Sequence, residues 1–155
     1  MIQHIWTIPC RLSLIAQGSN NVTLVEILEE ITIPEFPVEP GQAHGLVPAV
    51  FDVVSLWNRE HPDRPESGFG RISLLSPDGA ELLHNEFPVD LTQGARARWI
   101  GRFVGIPMIP AGQSVLRVER RAIAEDAWQE VGRLPILINR MQPQNPPENN
   151  ANGPA

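Results

Sequence analysis

The chain has 155 residues, a formal net charge of −6 and 42% apolar residues, enough for one domain with a single core. That balance is too acidic for general nucleic-acid binding, which needs a basic footprint. All twelve basic residues are arginine, so P-loop and Schiff-base chemistry, which need a lysine, are excluded.

The first stretch, MIQHIWTIPCRLSLIAQG, has no basic leader and no small-residue cleavage site after an apolar run, and reads as mature protein. It carries the single cysteine, Cys10, within an apolar segment, where buried packing is expected rather than a nucleophile. One cysteine and no export signal point to a reducing cytoplasm. No apolar run approaches the ~20 residues of a membrane-spanning helix, so no membrane partner is expected.

QGSNN (Gln17 to Asn21) is a turn between two apolar runs. The run after it, NNVTLVEILEEITIPEFP, is ambiguous. Leu24, Ile27, Leu28 and Ile31 fall on one helical face, and Thr23 with Glu26 mimics a capping box. As a strand, Val25, Ile27, Ile31 and Ile33 share one face, with Glu29 the misfit. The short Gly/Asn turn before it suits a hairpin, and a lone helix among strands would need its own docking face. The strand reading, over Val22 to Ile33, is adopted.

Turn signals then recur. PEFPVEPGQAHG and REHPDRPESG are Pro-rich connections, and SPDG (Ser76 to Gly79) is the sharpest turn. TQG, PAG and AEDA follow. AVFDVVSLW is rich in β-branched and aromatic residues. GRISLL and AELLH flank SPDG as a hairpin. ARARWIGRFVG alternates, with Arg96, Arg98, Ile100 and Arg102 opposite Ala97, Trp99, Gly101 and Phe103. SVLRVERR sets Leu116 and Val118 opposite Arg117 and Glu119, and WQEVGRLPILI closes the domain. Turns at this spacing imply an all-β fold, a single-domain antiparallel β-sandwich of about seven or eight strands over residues 1–140. Residues 141–155, polar and Pro-rich, are expected to be a disordered tail, with too little apolar surface to offset ordering entropy.

The motifs NVTLVEILEEITIPEFP, FDVVSLW, ISLLSPDGAELL and GQSVLRVE, in this order, resemble an uncharacterised family of small bacterial β-sandwich proteins. The resemblance spans roughly residues 5 to 138. It implies an opening strand hairpin, a strand over Val22 to Ile33, and a Phe-Pro (Phe36, Pro37) after it. The family has no assigned activity, cofactor or catalytic residue, so the resemblance implies none.

The residues offer little chemistry. His4, His44, His61 and His84 lack metal-ligand spacing. The loop holding His61, Asp63 and Glu66 is polar enough for a divalent cation, but the spacing of a calcium loop is missing. No G-x-S-x-G occurs. No cofactor, metal or catalytic residue is expected, and the protein reads as non-enzymatic. The charge is uneven, however. Residues 1–95 hold four Arg against thirteen acids, and residues 96–133 hold seven Arg against four. Arg96, Arg98 and Arg102 on one strand, with Arg117 and Arg121 on the next, would line one solvent face if the two strands pair. Such a face is either a solvated surface with Glu119 as internal partner or a patch for another protein. Trp57, at a strand end beside a polar loop, is the tryptophan expected to be exposed. The expected function is a cytoplasmic interaction module binding another protein through a sheet face or edge. The alternatives are a small hydrolase or metal-dependent enzyme built from dispersed His, Asp and Cys, and a self-assembling subunit that forms a homo-oligomer.

Overall fold

A computed structural model describes residues 1–33, 45–107 and 111–141. The tail expected beyond Met141 and the Phe36-Pro37 pair lie outside them. The described residues form two β-sheets packed as a sandwich, as the recurring turns imply. Nine strands are present rather than seven or eight: β1 (Ile2–Ile15), β2 (Val22–Ile27), β3 (Glu30–Ile33), β4 (Leu46–Arg59), β5 (Glu66–Leu75), β6 (Glu81–Leu91), β7 (Arg96–Pro107), β8 (Gly112–Arg121) and β9 (Gln129–Arg140). The first sheet has the order β2-β1-β4-β7 and the second β3-β9-β8-β5-β6.

The hairpins form where short turns join alternating segments. The Ser76–Ala80 turn closes β5 onto β6, with Gly79 at φ 87 and its amide donating to the Ser76 carbonyl at 2.9 Å, a backbone that glycine adopts without cost. The β1–β2 turn uses Gly18 at φ 88 and Asn20 at φ 52.

The ambiguous stretch is extended, but it divides into two strands. Glu26 sits at φ 51. The Leu28 amide still donates to the Pro9 carbonyl in the first sheet at 2.9 Å, whereas the Glu29 carbonyl accepts from Leu137 in the second at 2.9 Å. Glu29, the misfit in the strand pattern, is therefore where the chain changes sheets. β3 then runs parallel to β9, so the sandwich is antiparallel except at that edge.

Period-two alternation fills the interior. The first sheet contributes Phe51, Val53 and Trp57. The second contributes Ile72, Leu74, Leu116, Val118, Ile136 and Ile138. An aromatic chain closes the side where β6 meets β7: Trp99 stacks on Phe87 at 4.0 Å, and Phe87 meets Trp57 edge-on at 6.1 Å. Trp57 is fully buried, which corrects its expected exposure. β4 continues past it to Arg59, and the alternation Phe51, Val53, Ser55, Trp57 turns it inward. Trp99 packs against the core, as its strand face implied.

Candidate functional site

The two arginine sets do not share a face. β7 is an edge strand of the first sheet, and β8 lies between β9 and β5 in the second. The condition for a joint patch, pairing of these two strands, is not met. Strands that follow each other in sequence commonly lie in different sheets of a sandwich, and β7 and β8 do so here.

On the second sheet, Leu116 and Val118 face the core, so Arg117 and Arg121 face outward. There they enter a network. Arg117 lies 2.8 Å from Glu81 and 3.2 Å from Glu119. Arg121 lies 3.3 Å from Glu86 and covers the Trp128 ring at 4.2 Å. Arg71 bridges to Glu81 at 2.6 Å, and His84 reaches the same carboxylate at 2.8 Å. Burial alone would raise the Glu81 carboxyl, but Arg71 and His84 outweigh it and hold it below the ordinary carboxylate range. The positive charge on this face is met within the protein, and each half-exposed pair adds little stability by itself.

On the first sheet, Arg96, Arg98 and Arg102 also face outward, opposite the inward Ala97 and Trp99. Arg102 donates from Nε to Asp52 Oδ1 at 2.8 Å. The Asp52 Oδ2 atom accepts from the Ser13 amide at 2.8 Å and the Ser13 hydroxyl at 2.7 Å. The Arg102 hydrogen bond, helped by Ser13, holds the Asp52 carboxyl below its usual range although burial opposes it. Arg98 donates to the Asn20 carbonyl at 2.9 Å. Arg96 alone among the three is exposed without a partner among the described residues.

These contacts reveal an element that the strand pattern does not. The β1–β4 ladder ends at Cys10↔Asp52, while the β1–β2 ladder continues to Ile15↔Val22. Beyond Cys10 the two strands form a ribbon paired only to each other. Ser13 reaches Asp52 on β4 and the turn reaches Arg98 on β7, so the ribbon lies across the outer face of the first sheet. Burial agrees: Cys10, Asp52 and Val54 are outward by register, yet 0%, 2% and 0% exposed. Ser13, Val22 and Leu24 are half-buried on the underside. The remaining apolar side chains meet solvent: Leu12, Leu14, Ile15, Val25 and Ile27, the last at 60% exposure. An open groove of about 590 Å³ adjoins the ribbon, lined by Leu12, Leu28, Val50 and Phe51 together with Arg11 and Arg102.

Among the described residues, His4, Cys10, His61 and His84 lie in separate places, each beside its own partners. His4 is inside the sandwich, 2.8 Å from the Thr7 hydroxyl, which is 2.8 Å from the Ser55 hydroxyl; burial lowers its pKa. Cys10 is buried on the other face of the same sheet, and its thiol is raised by burial and by Asp52. In the polar loop, Glu66 accepts from the Met1 amine at 2.7 Å and lies 2.9 Å from His61 Nδ1. Burial pushes its carboxyl up, but these partners and the Glu60 and His61 amides pull it down to about 2. His44 lies outside the described residues. Among the described residues no three His, Cys, Asp or Glu side chains converge as metal ligands.

No protein-family model and no curated protein sequence matches this chain. The resemblance in motif order therefore stands on the sequence alone.

Proposed function

We propose that the protein is a non-enzymatic cytoplasmic module that binds another protein through the solvent face and free edge of its β1–β2 ribbon. The observation that carries this reading is the concentration of large exposed apolar side chains on one short ribbon, Leu12, Leu14, Val25 and Ile27 on one face by register, with Ile15 exposed near the tip on the other. Exposed apolar side chains are common singly, but a contiguous group marks an interaction surface.

Comparison of the sheet edges supports the same surface. Natural edges are blunted by charge, proline or shortness. β6 carries His84, Glu86, Pro88 and Asp90, β7 carries three arginines, and β3 has four residues. β2, with sequence VTLVEI, has one charge, Glu26. A partner strand or an apolar patch fits that edge.

A capture experiment from native lysate tests this, comparing wild type with the double variant Leu14→Glu, Ile27→Glu. Both residues are exposed, so the variant is expected to fold normally by circular dichroism. Two charges in an apolar contact are expected to weaken capture of a saturable partner by tenfold or more, while Arg96→Glu leaves it unchanged. Equal capture by the double variant would place the interface elsewhere.

A further inference from the structure

We infer that the β1–β2 ribbon is a hinged strap, latched at Asp52 and Arg98, that lifts from the outer face of the first sheet without unfolding the sandwich. The mode of attachment carries this. Within a sheet, each strand is held by a ladder of backbone hydrogen bonds. The ribbon leaves its ladder with β4 at Cys10↔Asp52. Among the described residues, the hydrogen bonds joining it to the face beneath are those of the Ser13 amide and hydroxyl to Asp52 and of Arg98 to the Asn20 carbonyl. Side chains, not a ladder, hold it down.

The rest of the fold is consistent with separate motion. The main core cluster contains Val53 and Trp57 but neither Cys10 nor Val54, so the contact under the ribbon is a satellite of the interior. The base of the ribbon carries a kink at Glu26, φ 51, and its free tip carries Gly18 and Asn20. Lifting would uncover Cys10 and Val54, now fully buried, with Ile8 and Ile100 beside them by register. An outer sheet face with this apolar content is unusual, since such faces are normally polar. The strap thus separates two surfaces, one apolar on its own outside and one beneath it. The inference stands apart from the binding reading, because a ribbon that never lifts would still present Leu14 and Ile27.

Cys10 is the reporter. Its labelling by a water-soluble aromatic disulfide reagent is followed in native buffer and in rising denaturant. For a strap, the wild-type rate is expected to exceed that allowed by global unfolding and to be flat at low denaturant. Arg98→Ala, which removes the contact to Asn20, is expected to speed labelling about tenfold, and Asp52→Asn by more, because it weakens two hydrogen bonds from Ser13 rather than one. Arg98 is the safer variant should Asp52→Asn disturb folding. Labelling that tracks global unfolding at every denaturant concentration would overturn the inference. So would an Arg98→Ala rate equal to wild type.

Discussion

Replacing Trp57 with alanine is expected to lower the unfolding free energy by about 3–5 kcal/mol, the range for deleting a large buried aromatic. The side chain is fully buried and joins three parts of the interior. It lies 5.1 Å from the His4 ring and 6.1 Å from Phe87, beside the backbone of Gly70. A domain of this size has a total stability of about 5–15 kcal/mol, so the variant retains little margin. The melting midpoint should fall by roughly 10 °C, as followed by circular dichroism in the far ultraviolet. A fall of only a degree or two would mean that Trp57 is not inside the sandwich.

Gly70→Ala is the second large effect, and it acts by overfilling. A Cβ built at Gly70 would stand 2.4 Å and 2.6 Å from two Phe87 ring atoms and 3.0 Å from Trp57. Phe87 is poorly placed to give way, because its other neighbour is Trp99, stacked at 4.0 Å. Overpacking of this kind costs about 1–3 kcal/mol or more, and the upper end is expected here. Gly45→Ala is the matched control: it has nothing within 4 Å and no left-handed backbone, and should shift stability by less than ~0.5 kcal/mol. Chemical denaturation of the three proteins side by side decides the point. Equal midpoints for Gly70→Ala and Gly45→Ala would contradict the aromatic packing described.

Much of this architecture was legible in the residues, and the reasons are local. SPDG specifies a turn through proline, aspartate and glycine together, and β5–β6 forms around it. ARARWIGRFVG alternates cleanly, so Trp99 and Phe103 turn inward and the arginines outward. The stretch from Val22 was harder because its apolar residues satisfy both periods. Glu29 marked the break, yet a single misfit does not say that a chain leaves one sheet for another.

What was not legible is which strands become neighbours. Arg96, Arg98 and Arg102 face outward as expected, but the partners of Arg98 and Arg102 are Asn20 and Asp52, 78 and 50 residues away in sequence. Their role is to hold the ribbon, and nothing in the alternation of either strand encodes that contact. The Ser13–Asp52 contact is not encoded in either strand for the same reason. The polar residues after Trp57 read as a strand end, whereas β4 continues to Arg59 and its phase is set by Phe51 and Val53. One signal was available for the ribbon. Leu12 pairs with Val25 and Ile15 with Val22, and Leu14 and Leu24 lie between them, so the ribbon carries apolar side chains on both faces, more than a two-stranded element buries on one side.

The measurement that bears most directly on the ribbon as the binding surface is site-specific photo-crosslinking in cells. A photoreactive residue replaces Leu14 on the ribbon, and in a second protein His84 on the opposite outer face. The expected result is a discrete adduct, to another protein or to a second copy, from position 14 and none from position 84. An adduct from position 84 with none from position 14 would contradict the proposed surface and return attention to the charged face of the second sheet.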